Sequence, residues 1–123
     1  MSARIVVADD EQDIRRLVSF TLRRRGYEVL EANAGDVALD LVRQERPQLA
    51  VLDVMMPGLT GTEVARALTD DPATAAIPII LLSAKGQATE VEAGLQSGAR
   101  AYLVRPFSPG VLAAQVAELL EAT

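Results

Sequence analysis

The sequence contains no cysteine and no histidine among its 123 residues. Without histidine, the chain itself cannot supply histidine-based acid–base catalysis or histidine ligands to a metal. Its apolar runs are far too short to cross a bilayer, and its first residues do not match a secretory signal. Because cysteine is also absent, nothing suggests export, and we expect a protein of the reducing cytoplasm.

The composition is that of one folded domain with a slight excess of acid. Half of the residues are hydrophobic, which is enough for a core, and we expect a single domain over residues 1–123 with no second domain. The net charge of -5 argues against a nucleic-acid surface as the main role. The basic run Arg23–Arg25 precedes Gly26, where a helix is expected to end, so it complements the helix dipole.

Five short apolar segments alternate with five amphipathic ones. Most of the apolar segments show no polar alternation, which is typical of strands buried on both faces. The pattern predicts an α/β fold, a doubly wound parallel sheet with helices on both faces. The predicted strands are Arg4–Ala8, Glu28–Glu31, Leu49–Leu52, Ile77–Leu82 and Ala101–Val104. The predicted helix N-caps are Asn33, Thr60, Thr89 and Ser108.

Polar side chains follow four of the predicted strands. Asp9 and Asp10 end the first strand, and Asp53, Ser83 and Arg105 follow three others. The carboxyl ends of parallel strands share one edge of the sheet, where ligands bind. Three carboxylates in one cleft stay ionised only if a cation joins them, and oxygen ligands suit Mg²⁺. We therefore predict a Mg²⁺ site at Asp9, Asp10 and Asp53, which could also take Mn²⁺.

Each of these residues also has a simpler interpretation. Asp10 could cap a helix that begins at Glu11, and Asp53 could be a turn residue. Ser83 could be a cap, and Arg105 a surface charge. Their arrival at one edge favours a functional site. Capping by Asp10 is compatible with metal binding and stays open.

Four segments then resemble a known family, in order and at its usual spacings: VVADDEQ, AVLDVMMPGLTG, IILLSAKG and AYLVRPFSP. The chain resembles the response-regulator receiver domain of two-component signal transduction over essentially its whole length. The resemblance implies a flavodoxin-like sheet of strand order 2-1-3-4-5. It also implies a phosphoprotein of a phosphorelay, with a sensor histidine kinase or phosphotransfer protein as partner. Such a domain is not an enzyme beyond its own phosphorylation and dephosphorylation.

The resemblance assigns a role to each site residue. Asp53 would accept the phosphoryl group as a 4-aspartylphosphate. Asp9, Asp10 and the backbone carbonyl of Met55 would hold Mg²⁺ together with the Asp53 carboxylate. Ser83 would hydrogen-bond a phosphoryl oxygen.

The resemblance also implies a switch. Ser83 would move inward on phosphorylation, and the ring of Tyr102 would fill the space that it leaves. The surface from about Thr89 to Glu121 would then change its docking or dimerisation properties. We expect an output partner or a second copy there, and no direct contact with nucleic acid or membrane.

One position departs from the family, because Arg105 stands where the family has lysine. We expect Arg105 to take part in catalysis and the Arg105–Pro106 peptide bond to be cis, by the same resemblance. Met55 and Lys85 are expected to flank the phosphoryl group, where they can obstruct or orient an attacking water.

Three functions remain open at this point. The first is a receiver phosphorylated on Asp53. The second is a receiver-like interaction module with weak or no phosphorylation, which only Arg105 supports. The third is a Mg²⁺-dependent phosphatase with an aspartyl-phosphate intermediate. The short predicted loops, which leave no room for a substrate pocket or cap domain, disfavour this third alternative.

Overall fold

The structure, a computed structural model, describes the backbone of residues 3–84 and 88–121 and the side chains of residues 3–84 and 91–121. Strands and helices alternate along this part of the chain as β1 (Arg4–Ala8), α1 (Gln12–Arg24), β2 (Glu28–Ala32), α2 (Gly35–Glu45), β3 (Leu49–Asp53), α3 (Gly61–Asp70), β4 (Ile79–Ser83), α4 (Ala88–Gln96), β5 (Ala101–Val104) and α5 (Pro109–Glu121). The strands form one parallel sheet of order β2-β1-β3-β4-β5. The predicted fold is confirmed. No helix in the described ranges is long and apolar enough to span a membrane.

The core consists of two apolar layers, one on each face of the sheet. One layer contains Val6, Leu52 and Leu81 with side chains of α2 and α3. The other contains Ile5 and Val51 with side chains of α1 and α5. Strands β3 and β4 are buried along their whole length, which explains why their sequences lack polar alternation.

Two of the predicted caps are confirmed. Thr60 Oγ1 accepts a hydrogen bond from the Glu63 N–H at 3.1 Å, and Glu63 Oε1 accepts one from the Thr60 N–H at 3.0 Å. This capping box begins α3 directly after the loop that follows Asp53. At the start of α5, Ser108 Oγ accepts a hydrogen bond from the Val111 N–H at 3.0 Å.

The two other predicted caps were wrong. The N-cap of α2 is Ala34 and not Asn33. The N–H of Gly35, the first residue of α2, donates to the carbonyl of Pro57 at 3.0 Å, so the loop after β3 fixes where this helix begins. Helix α4 begins at Ala88, which places Thr89 inside the helix.

Strand β4 begins two residues later than predicted. Ile77 belongs to a turn, because its N–H donates to the Thr74 carbonyl at 3.0 Å. Pro78 has no N–H and contributes only its carbonyl, which accepts from the Ala50 N–H at 3.0 Å. The strand therefore starts at Ile79 and includes Ser83 as its last residue.

Candidate functional site

Three aspartates meet at the carboxyl edge of the sheet. Asp9 follows β1 and Asp53 ends β3, and each is only 1% exposed, whereas Asp10 is exposed. One carboxylate oxygen from each of the three lies within 4.8 Å of the other two. We call these three residues the acidic cluster. The central strands β1 and β3 are adjacent in the sheet, which is why side chains 44 positions apart in the sequence meet here.

The turn after β1 holds Asp9 firmly in place. Its N–H donates to the Ala32 carbonyl at 3.1 Å, and its Oδ1 accepts from the Glu11 N–H at 2.9 Å. Helix α1 begins at Gln12 with Glu11 as its N-cap and no side-chain capping hydrogen bond. The interpretation of Asp10 as a helix cap is therefore wrong, and its exposed carboxylate remains with the acidic cluster.

Close backbone packing fixes the position of Asp53. The Val54 N–H donates to the Leu82 carbonyl at 2.8 Å, and the Gly61 N–H donates to the Val54 carbonyl at 2.9 Å. A Cβ on Gly61 would lie 2.2 Å from the carbonyl oxygen of Asp53. Only glycine permits this approach, so the start of α3 is set directly against the end of β3.

Arg105 brings a cation to the acidic cluster. Its Nη2 lies 2.9 Å from Asp53 Oδ1, and its Nη1 lies 3.6 Å from Glu11 Oε1 and 4.0 Å from Asp9 Oδ2. The Arg105–Pro106 bond is cis, and the Arg105 N–H donates to the Ser83 carbonyl at 2.7 Å. Arg105 directly follows β5, and its side chain, which is 15% exposed, places the guanidinium beside the acidic cluster.

Burial dominates the electrostatics of the two enclosed carboxyls. It raises the pKa of Asp53 to about 7, with the charge of Asp9 adding to the rise and Arg105 opposing it. Burial also raises the pKa of Asp9, against the hydrogen bond from Glu11 and the charge of Arg105. The charge of Arg105 therefore does not fully offset the effect of burial on the pKa of these two carboxyls.

The donor atoms of the acidic cluster fit Mg²⁺. All are carboxylate oxygens, which this ion prefers. Asp9 Oδ2 is buried and accepts no hydrogen bond from any residue that the structure describes. A buried carboxylate oxygen normally has a partner, and a cation would supply one.

The remaining predicted residues lie around this edge. Ser83 is buried at the end of β4, where the preceding residue Leu82 pairs in register with Asp53. Tyr102 of β5 is half-buried, and its ring lies against Gly94, where an added Cβ would be 2.7 Å from it. Met55 follows Asp53 by two positions and is 63% exposed. Lys85 lies outside the described residues.

Sequence reasoning missed two residues next to the site, Glu11 and Arg15. Glu11 contacts Arg105, and Arg15 Nη1 donates to the carbonyl of Asp9 at 2.9 Å. Their spacing of four positions was a signal, since Glu11 is the N-cap of α1 and Arg15 lies one helical turn later, near the end of β1. No pattern in the sequence alone showed that an arginine would bind a backbone carbonyl there.

Residues 5–117 match the family described as the response regulator receiver domain. The chain belongs to this family. Receiver domains are signalling domains of two-component systems, so the resemblance seen in the sequence is confirmed. The match begins at the second residue of β1 and ends within α5.

Relatives and solved structures agree with this assignment. The chain is 41% identical over 119 residues to the phosphate regulon transcriptional regulatory protein PhoB of Pseudomonas aeruginosa, covering 97% of this chain and 52% of that protein. A putative response regulator from Chloroflexus aurantiacus superimposes with a TM-score of 0.94 at 30% identity, covering 98% of this chain and 99% of that one. The chemotaxis response regulator CheY4 of Vibrio cholerae gives 0.90 at 32%, covering 97% and 99%. The receiver domain described here thus spans about half the length of its curated relative.

Proposed function

We propose that this receiver domain accepts a phosphoryl group on Asp53 from a phosphohistidine of a histidine kinase or phosphotransfer protein. The observation that carries the proposal is the convergence of Asp53 with Asp9 and Asp10, at 4.8 Å or less between carboxylate oxygens, in a chain of the receiver family. The setting that we propose is the cytoplasm. The reaction concerns only the domain's own phosphorylation and dephosphorylation, so it is not an enzyme acting on a separate substrate.

The Mg²⁺ ion would be held by Asp9, Asp10 and Asp53 and by the backbone carbonyl of Met55. When bound, Mg²⁺ supplies positive charge for the oxygens of the transferring phosphoryl group. Asp9 Oδ2 is suited to this role because it is buried without a hydrogen-bond partner among the described residues. Asp10 is suited because it is exposed and can reach a hydrated ion.

The chemical step requires Asp53 in its ionised form. One carboxylate oxygen forms a bond to phosphorus while the P–N bond of the phosphohistidine breaks. The electron pair of that bond stays on the imidazole nitrogen of the donor, and the ring leaves as neutral imidazole when its other nitrogen carries a proton. Arg105 favours ionised Asp53, because its guanidinium lies 2.9 Å from the carboxylate and opposes the pKa rise caused by burial.

Arg105 and Ser83 would then serve the phosphoryl oxygens. The guanidinium is the cation beside Asp53, and phosphoryl transfer depends mainly on positioning and on charge stabilisation. Ser83, buried at the end of the neighbouring strand, would donate its hydroxyl to one oxygen. Movement of Ser83 would in turn admit the ring of Tyr102, which lies between β5 and α4.

A groove beside the site would receive the phosphodonor. It has a volume of about 440 Å³ and runs along Arg105, with a mostly apolar lining that includes Ile14, Leu17, Pro106 and Phe107. Leu17 is 44% exposed although it is a large apolar residue. A helix of the donor could bury these side chains while its phosphohistidine reaches Asp53.

PhoB is named as a transcriptional regulator, but we assign no DNA contact to these 123 residues, whose net charge is -5.

A second candidate is an interaction module that takes little or no phosphate. The ion pair between Arg105 and Asp53 favours it, because the acceptor carboxylate already has a cationic partner. The two candidates differ in one observable, the gain of a phosphoryl group.

Incubation with acetyl phosphate, followed by intact-mass measurement, separates the candidates. We expect the mass of one phosphoryl group with Mg²⁺ and none in excess EDTA. Asp10→Asn should lower the yield, whereas Asp13→Asn is a matched control, since Asp13 is also exposed, on the first turn of α1, but lies outside the acidic cluster. An unchanged mass with Mg²⁺ would leave the interaction module as the function.

A further inference from the structure

Arg15 joins the ends of two neighbouring strands behind the acidic cluster. Its Nη1 donates to the backbone carbonyl of Asp9 at 2.9 Å, and its Nε lies 3.2 Å from Glu31 Oε1. Its side chain is 18% exposed, so the guanidinium is largely shielded from water. Asp9 follows β1 and Glu31 lies in β2, so Arg15 ties the turn after one strand to the other.

We propose that Arg15 is a positioning residue for the Mg²⁺ site, acting through the peptide bond between Asp9 and Asp10. This inference rests on the proposed function, because it takes the acidic cluster to be the metal site. Groups that orient metal ligands without touching the metal typically contribute about 10- to 100-fold to affinity.

The planarity of the peptide explains how one hydrogen bond can place two carboxylates. The carbonyl of Asp9 and the N–H of Asp10 belong to one rigid plane that also contains both Cα atoms. A bond to that carbonyl therefore restrains the positions of both Cα atoms, from which the two carboxylate side chains extend. The hydrogen bond from Glu11 to Asp9 Oδ1 restrains only the Asp9 side chain, whereas the bond from Arg15 acts on the unit shared with Asp10.

Charge alone predicts the opposite effect. Arg15 is a cation next to a cation site, so a purely through-space influence would repel Mg²⁺, and removing the charge would tighten binding. A positioning role predicts weaker binding after the same substitution. The direction in which Mg²⁺ affinity changes therefore distinguishes a through-space charge effect from a positioning role.

The experiment compares Arg15→Gln with Arg23→Gln by titrating the unphosphorylated protein with Mg²⁺ in a calorimeter. Arg23 is the matched control, because it pairs with the same Glu31 at 3.1 Å and donates to the carbonyl of Val29 instead of Asp9. We expect Arg15→Gln to weaken Mg²⁺ binding about 10-fold and Arg23→Gln to change it less than about twofold. Arg15→Lys keeps the charge but loses the two-armed contact, so its affinity should be intermediate.

Unfolding in EDTA separates a positioning role from a loss of stability. Equal losses of stability in Arg15→Gln and Arg23→Gln, with Mg²⁺ affinity reduced only in Arg15→Gln, would support the inference. Unchanged or tighter Mg²⁺ binding by Arg15→Gln would overturn it while leaving the proposed function intact.

Absence of Mg²⁺ binding by the wild-type protein would instead contradict the proposed function. The role in Mg²⁺ binding would fail with it, and only the restraint that Arg15 places on the turn after β1 would then be judged, from amide exchange at Asp10 and Glu11 in the metal-free protein. Faster exchange in Arg15→Gln than in Arg23→Gln supports it, and equal exchange overturns it.

Discussion

The guanidinium of Arg105 lies 2.9 Å from the carboxylate of Asp53, the nearest of its three acidic neighbours. The residue that stands in place of the family's lysine therefore reaches the proposed phosphoacceptor directly. Its other terminal nitrogen is 3.6 Å from Glu11, so the planar fork bridges two acids at once. A lysine ammonium is a compact point charge and would not span the same pair in this way.

Arg105→Lys is predicted to accelerate phosphorylation of Asp53 by acetyl phosphate at fixed Mg²⁺. A lysine makes fewer contacts than the arginine fork, so it would free an oxygen of Asp53 for attack while keeping a cation nearby. We expect the phosphorylation rate to rise about fivefold, equivalent to about 1 kcal/mol in the activation free energy. The initial rate of mass gain measures it. Arg100→Lys is the control, since Arg100 is exposed just before β5. A rate that is unchanged or lower would show that the site is adapted to arginine.

The raised pKa of Asp53, about 7, predicts how stability depends on pH in the metal-free protein. The unfolded carboxyl titrates near 3.9, so between about pH 4 and pH 7 the folded chain binds more protons than the unfolded chain. Its contribution to stability therefore falls as pH rises through this window and levels off above it. With about 1.4 kcal/mol per pKa unit, the full loss is at most about 4 kcal/mol.

Asp53→Asn should remove the loss of folding stability that ionisation of Asp53 causes at high pH. In EDTA at pH 8 we expect the variant to be about 1–2 kcal/mol more stable than the wild type, because the gain is offset by the missing ion pair with Arg105. Near pH 4 the advantage should disappear. Urea unfolding at both pH values measures the difference. Parallel pH dependence of the two proteins would contradict the buried, charge-crowded site described for Asp53.

The proposed switch predicts that phosphorylation shifts the ring resonances of one of the two tyrosines in the chain more than those of the other. Phosphorylation should shift the ring resonances of Tyr102, which lies against Gly94 of α4, and the amides of α4, β5 and α5. Tyr27 is an internal comparison and should shift less than Tyr102, because it packs on the other face of the sheet, in the turn before β2. Tyr102 signals that ignore phosphorylation would mean that this switch is absent.

Met55→Ala is predicted to shorten the lifetime of the phosphoryl group. Met55 is 63% exposed two positions after Asp53, where its long apolar side chain can shield the bond from an attacking water. Phe20→Ala is the control, since Phe20 is similarly exposed at 59% but lies on α1 beneath Arg24. Decay of the phosphorylated species after removal of acetyl phosphate measures the lifetime. An equal or longer lifetime in Met55→Ala would rule out shielding.

The sequence predicted most of the fold because most of its strands are apolar on both faces. Strand β3, for example, is buried at every position, and its pattern could not be mistaken for a half-exposed strand. One wrong prediction, the N-cap of α2, concerns a boundary that a distant backbone group decides. Helix α2 begins at Gly35 because that residue bonds to Pro57, and no local pattern carries this information.

The sequence predicted the functional site in part, for the same physical reason. Parallel strand ends share an edge, so the meeting of Asp9, Asp10 and Asp53 followed from the pattern alone. The contacts of Arg105 with Glu11 and of Arg15 with the Asp9 carbonyl depend on side-chain geometry that spacing does not fix.

The most direct test of the account is to locate the phosphoryl group within the chain. The protein is phosphorylated with acetyl phosphate and Mg²⁺ and reduced with borohydride, which converts a phosphorylated aspartate to homoserine, and its peptides are sequenced by mass spectrometry. We predict homoserine at Asp53, unmodified Asp9 and Asp10, and no phosphate in a folded Asp53→Asn variant. Homoserine at another aspartate, or a phosphoryl group retained by Asp53→Asn, would contradict it.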